Sequence, residues 1–161
     1  MRASLTTRLI ALLLMLTPIT SFAQQDQHFT MKQYRWQHRV VLIFADDPAT
    51  KNVKALLASI EADTAGFEDR HMVLIRIFEG KATTGKTNIP AQAAAQLQAD
   101  YNADAAAFRV VLIGKDGGVK LDRTRATSLQ DLFALIDTMP MRRQEMRQQE
   151  AKKQRTSKKG S

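Results

Sequence analysis

The chain contains no cysteine. No disulfide can staple it and no thiolate can attack a substrate or bind a metal, so its stability must come from apolar packing and its chemistry from other groups. Tryptophan occurs once, proline four times and histidine three times in 161 residues. His28, His38 and His71 have no paired spacing such as H-x-x-x-H, so no metal site is read from them. No Ser-His-Asp set is legible, because such sets are defined by geometry rather than order. No internal repeat is present, and no apolar run reaches the ~20 residues of a spanning helix. Acidic residues are scarce at the C-terminal end. After Met141 only Glu145 and Glu150 oppose Arg142, Arg143, Arg147, Lys152, Lys153, Arg155, Lys158 and Lys159. Charges balance between Gln24 and Met141, so the net +8 belongs to the two ends of the chain.

The first residues read as an export signal. Arg2 and Arg8 are a positive n-region, Leu9 to Leu16 an apolar h-region, and Ser21-Phe22-Ala23 a small-x-small cleavage site. Residues 1–23 are therefore expected to be removed, giving a periplasmic or extracellular protein that begins at Gln24. Residues 24–33 read as a polar, loose lead-in, 34–141 as one domain, and 142–161 as a basic, partly helical or disordered tail.

Tyr34 and Trp36 are expected to pack against the start of the first strand. Val40-Val41-Leu42-Ile43-Phe44 lacks polar alternation and suits a central strand covered on both faces. Asp46-Asp47-Pro48 offers acids for an N-cap and a proline for the first helical position, ahead of a stripe of Val53, Leu56, Leu57 and Ile60. Gly66 is placed beyond that helix. Met72 to Phe78 is a second buried strand, parallel to the first by the crossover rule. Glu79 to Asn88 reads as a flexible loop. Pro90 opens a second helix in which Ala94, Leu97 and Tyr101 share a face. Phe108 to Ile113, the glycine-rich Gly114 to Gly118, and the alternating Val119 to Arg123 make a hairpin whose second strand is an edge. Thr127 or Ser128, with Gln130 or Asp131 three residues on, caps a last helix with the stripe Leu129, Leu132, Phe133 and Ile136, which Pro140 ends. The order is α/β, thioredoxin-like βαβ-α-ββα, with a central mixed four-stranded sheet and helices on both faces.

Three strings carry a resemblance: Arg35-Trp36 with Arg39; Phe108 to Leu121, FRVVLIGKDGGVKL; and Ile136 to Met146, with Met-Pro-Met-Arg-Arg its most specific part. Over Tyr34 to Met146 the chain resembles the bacterial exported domain-of-unknown-function 4174 family, related to domains of animal sushi-repeat secreted proteins and of an extracellular-matrix coiled-coil-domain protein. The resemblance implies a thioredoxin-like fold and no established reaction.

Active thioredoxin-like proteins hold a nucleophilic cysteine where the first strand meets the first helix, because a helix N-terminus stabilises the thiolate. Here that place is Ala45-Asp46-Asp47-Pro48-Ala49, whose acids suit capping and disfavour a second anion. The cis-proline that commonly precedes the third strand has no counterpart between Asp104 and Ala107. Gly80-Lys81-Ala82-Thr83-Thr84-Gly85-Lys86-Thr87 matches the phosphate-binding pattern G-x-x-x-x-G-K-[ST] and makes Gly80, Gly85, Lys86 and Thr87 candidate cofactor ligands. That chemistry needs a helix starting at Gly-Lys-Thr, and Pro90 sits three residues on. No catalytic residue, cofactor or metal is therefore assigned. The expectation is an exported, non-catalytic interaction module with an unidentified protein or envelope partner. A cysteine-free enzyme or nucleotide binder using Asp46, Asp47 or the Gly80–Thr87 segment is one alternative. Polyanion or envelope-surface binding through the eight basic tail residues is another.

Overall fold

The computed structural model describes residues 29–101, 103 and 108–159. The leader therefore lies outside the described residues, as do His28 and the Asp104–Ala107 segment. In chain order the elements are a 3₁₀ turn at Met31–Tyr34, β1 (Arg39–Ala45), α1 (Lys51–Ala62), α2 (Thr64–Asp69), β2 (Met72–Phe78), β3 (Lys81–Thr84), β4 (Thr87–Ile89), α3 (Ala91–Asp100), β5 (Arg109–Ile113), β6 (Val119–Arg123), α4 (Leu129–Asp137) and α5 (Pro140–Lys159).

Every residue of β1 is buried, as an uninterrupted apolar run demands of a strand covered on both faces. It pairs parallel with β2, from Arg39 opposite Met72 to Ala45 opposite Phe78, and antiparallel with β5, Val40 opposite Ile113. The sheet order is β4-β3-β2-β1-β5-β6. Alternate residues serve opposite cores. Val41, Ile43, Val110 and Leu112 meet α1, α2 and α4 through Val53, Leu56, Phe67, Leu132 and Ile136. Val40, Leu42, Phe44, Ile75 and Val111 meet α3 through Ala94 and Leu97, with Phe29, Met31 and Tyr34 packed alongside. The end of the lead-in is thus seated on the core rather than loose.

Six strands replace the four expected, because the Glu79–Asn88 segment is not a loop but two antiparallel strands added beyond β2. Glu79 and Gly80 are the two-residue connection between paired Phe78 and Lys81, both with positive φ, +49° and +73°. Such a pair is the signature of a type I′ turn, whose twist matches the flanking strands.

Proline placements also differ from expectation. Asp47 and Pro48 occupy the first two positions of a turn closed by the Thr50 N–H on the Asp47 carbonyl at 3.3 Å, so α1 starts only at Lys51; Asp and Pro favour those positions. Gly66 does lie beyond α1, within the short α2, where its N–H donates to the Asp63 carboxylate at 2.8 Å. Pro90 is the N-cap of α3 rather than its first residue. At α4 the cap resolves to Ser128 with Asp131 in a reciprocal capping box. Pro140 does more than stop α4: it is the first residue of the 20-residue α5, where its missing N–H costs nothing.

A left-handed glutamate in the β2–β3 turn is strained by roughly 1–2 kcal/mol, whereas asparagine tolerates that conformation. Glu79→Asn should raise stability by about 1 kcal/mol, read as a higher urea midpoint at unchanged slope.

Candidate functional site

Open α/β sheets usually carry their chemistry beyond the C-terminal ends of parallel strands. At that end of β1 stand Asp46, Asp47, Pro48, Ala49 and Thr50, all exposed. The Asp47 carboxylate accepts the Ala49 N–H at 2.7 Å, and Thr50 makes no side-chain cap on α1. The expected capping by Asp46 or Asp47 is therefore an Asx turn ahead of the helix. The Gly80–Thr87 segment forms the β3 hairpin, with Thr87 in β4 and α3 beginning only at Ala91. No helix N-terminus follows Gly85-Lys86-Thr87, so the letter match does not build a phosphate cradle. Arg76 of β2 instead donates to the Gly85 carbonyl at 2.6 Å. Among the described residues no three His, Asp or Glu side chains gather where a metal ion would fit.

The opposite end of the sheet is densely built. Arg39, the first residue of β1, is 1 % exposed. Its guanidinium donates to the Arg70 carbonyl at 2.8 Å and to both oxygens of Glu145 at 3.0 and 3.3 Å. Lys115, in the β5–β6 turn, is buried with Nζ 2.8 Å from the same carboxylate and 2.6 Å from His71 Nδ1. Beside them Arg142 of α5, 3 % exposed, pairs with Asp69 and donates to Asp137 at 3.1 Å. Arg70 binds Asp137 at 2.7 Å and lies 3.9 Å over the Phe133 ring.

Burial pushes the Glu145 carboxyl up, but the hydrogen bonds and charges of Arg39 and Lys115 together outweigh it and hold it below its ordinary value. Asp69 behaves alike: burial opposes, and Arg142 with Gln149 prevails. Burial and then the Lys115 charge push His71 down against the pull of Glu145. A neutral imidazole accepts from the Lys115 ammonium, which explains the short contact. Each cation here is committed to a carboxylate, so the cluster is a clamp that fixes α5 to β1 and the hairpin rather than a set of free reactants.

Two bulky residues flank Lys115 in the left-handed region, Trp36 at φ +67° and His71 at φ +48°. The Trp36 N–H donates to the Lys115 carbonyl at 2.6 Å, while Arg35 Nε donates to the Asp116 carbonyl at 2.9 Å and its guanidinium lies 5.4 Å from the indole centre. Trp36 was expected to pack; it is 61 % exposed. Tyr34 does pack, 6.2 Å from Phe29 between ring centres.

Of the tail candidates, Arg143, Arg147, Lys152, Lys153, Arg155 and Lys158 are exposed along α5, and Lys159 is its last residue. Arg142 differs: buried and paired, it belongs to the body of the domain and is unavailable to a polyanion. Sequence reasoning missed Arg39, Lys115 and Glu145 as partners. Their signal was present, since the three strings Arg35–Arg39, Phe108–Leu121 and Ile136–Met146 meet at this one cluster.

The profile of the domain of unknown function DUF4174 matches residues 30–145. The chain belongs to this family. The match ends at Glu145, so the DUF4174 unit includes the clamp and leaves out the remainder of α5. Two solved structures are similar in fold. The reduced 2-Cys peroxiredoxin of Plasmodium vivax is 17% identical, with 66% of this chain and 80% of that one covered at a TM-score of 0.51. Thioredoxin peroxidase I of Plasmodium yoelii is also 17% identical, with 68% and 76% covered at 0.51. At that identity they establish a thioredoxin-like fold for this DUF4174 domain and nothing of its activity.

Glu145→Gln leaves two buried cations without a counter-charge and should cost about 3–5 kcal/mol near neutral pH. Because the folded carboxyl titrates below its ordinary value near 4.5, its contribution is complete above that value and fades as pH falls through the folded one. Urea titrations at about pH 7 and about pH 3 should show the gap between wild type and variant narrowing in acid; a gap independent of pH would refute the pairing.

Proposed function

We propose that this DUF4174 domain is an exported, non-catalytic interaction module. One observation carries the reading: the place where the fold houses its nucleophile is an exposed Asp-Asp-Pro turn in a chain with no sulfur nucleophile at all. The charged side chains brought together at the other end of the sheet support it, because each cation there is paired with a carboxylate. Export rests on the Arg2–Ala23 pattern. No helix among the described residues is long and apolar enough to cross a membrane. Expressed with its own leader in a Gram-negative host, the protein should be recovered from the periplasm beginning at Gln24 and should neither reduce disulfides nor turn over peroxide above background. Recovery in the cytoplasm with Met1 intact would remove export, and turnover would remove the non-catalytic reading.

A second reading is favoured by α5, which runs on past the clamp with Arg147, Lys152, Lys153, Arg155 and Lys158 exposed and only Glu150 opposing them. Such a rod attracts polyanions with strong salt dependence. Truncation after Met141 is a poor test, since it also removes Arg142 and Glu145 and with them the clamp. Replacing Lys152, Lys153 and Arg155 by Gln should leave stability unchanged and lower the salt needed to elute the protein from heparin; an unaltered elution would clear α5 of that role.

A further inference from the structure

Among the described residues the large apolar side chains standing out in solvent are Trp36, Val119 and Met141, 61, 50 and 38 % exposed. They come from distant parts of the chain yet gather around the Gly114–Gly118 turn. Trp36 is tied to it through the Lys115 carbonyl. Val119 follows it directly as the first residue of β6. Met141 lines a hollow of about 280 Å³ together with Gly114, Lys115 and Lys120. Trp36 continues from the segment packed on the α3 side of the sheet, and Met141 lies in the first turn of α5 on the other side, so the three straddle one end of the sheet.

The exposed charge without an ion-pair partner around them is basic. Lys32, Arg35 and Arg143 are exposed and have no carboxylate partner among the described residues. The acids nearby are spent: Asp116 takes Lys120 at 2.6 Å and the Gly118 N–H at 3.0 Å, and Glu145 is held by Arg39 and Lys115. The basic helix α5 is rooted in the same clamp.

From this juxtaposition we infer that the Gly114–Gly118 end of the sheet docks on an anionic lipid surface, with Trp36, Val119 and Met141 entering the headgroup boundary and Lys32, Arg35 and α5 supplying the attraction. The observations favour lipid over a protein partner. A specific protein interface needs a continuous, shape-matched area of about 1,000 Å² or more, whereas here the apolar side chains stand singly around a turn, separated by glycines and lysine. A bilayer yields around isolated protrusions and needs no complementary shape. An indole, apolar with one polar N–H, suits the boundary between acyl chains and headgroups, and Lys and Arg beside it suit anionic headgroups. The inference deepens the interaction-module reading by naming the partner, and it rests on that reading.

Trp36 is the only tryptophan, so intrinsic fluorescence reports on this residue alone. The protein beginning at Gln24, which holds every described residue, is titrated with phosphatidylcholine vesicles with and without one third phosphatidylglycerol. The expected result is co-sedimentation with the anionic vesicles only, accompanied by a shift of Trp36 emission to shorter wavelength. Trp36→Ala should reduce partitioning about tenfold, as withdrawal of one large apolar side chain predicts, with unchanged circular dichroism. Val119→Ser with Met141→Ser should weaken binding similarly while Trp36 remains as the probe. Co-sedimentation with unshifted emission would mean that α5 adsorbs alone, and would overturn the inference. So would absence of binding, or an emission shift produced by raised protein concentration or an added protein instead of lipid. Any of these leaves the interaction-module reading standing if redox turnover is also absent, whereas turnover removes that reading whatever the vesicles show.

Discussion

The carboxylate of Glu145, shared between Arg39 and Lys115, ties α5 to the central strand and to the β5–β6 turn at once. Arg39 begins the central strand, Lys115 sits in the β5–β6 turn, and Glu145 is one and a half turns into α5. Burying a guanidinium at 1 % exposure costs several kcal/mol of hydration, and only a well-placed counter-charge with further hydrogen bonds offsets it. The bidentate Arg39–Glu145 geometry, with the Arg70 carbonyl taking another proton, meets that condition. Breaking the pairing by removing one partner is costly, because it leaves a buried charge without its counter-charge.

That constraint explains how α5 exists at all. Beyond Met146 its sequence offers no apolar stripe, and an isolated helix of such length is marginal in water. Pro140 sets the first helical residue, Arg142 fastens the first turn to Asp69 and Asp137, and Glu145 fastens the second; propagation from a nucleus already fixed is far easier than nucleation. Gln149 adds one more tether, donating to Asp69 at 2.9 Å. The helix is thus continuous from body to basic end, and charges that look like a loose appendage in sequence project from a defined direction.

The three apolar strands, the parallel crossover, the glycine hairpin and the last helix were legible because each rests on local chemistry: β-branched runs, helical periodicity, a capping box. What escaped reading depends on tertiary context. The β3–β4 hairpin lacks apolar alternation, its strands are short, and its first turn uses Glu79 where Asn would announce it. Pro48 and Pro90 fit the first helical position by propensity alone, but one lies in a turn and the other caps a helix. The clamp was least legible. Arg142 heads a run of like charges, and nothing in spacing tells a buried arginine from the solvated ones behind it. Its partner Asp69 is 73 residues away.

Trp36 shows where stability alone fails as an explanation. A bulky residue at φ +67° carries a strain of roughly 1–2 kcal/mol, and a single backbone hydrogen bond to Lys115 returns only about 1 kcal/mol net. Burial would ordinarily supply the remainder, since a packed indole is among the largest apolar contributions a side chain can make; here most of the ring is in water. Glycine at this position would keep the hydrogen bond and shed the strain. His71, the other left-handed residue at Lys115, differs in this respect: its ring accepts from the lysine, so its conformation serves the clamp. The indole has the guanidinium of Arg35 5.4 Å from its centre and most of its surface in water. The inferred docking of this end of the sheet on lipid would offset that cost, because it would give the amphipathic ring, set among basic side chains, an apolar surface to enter.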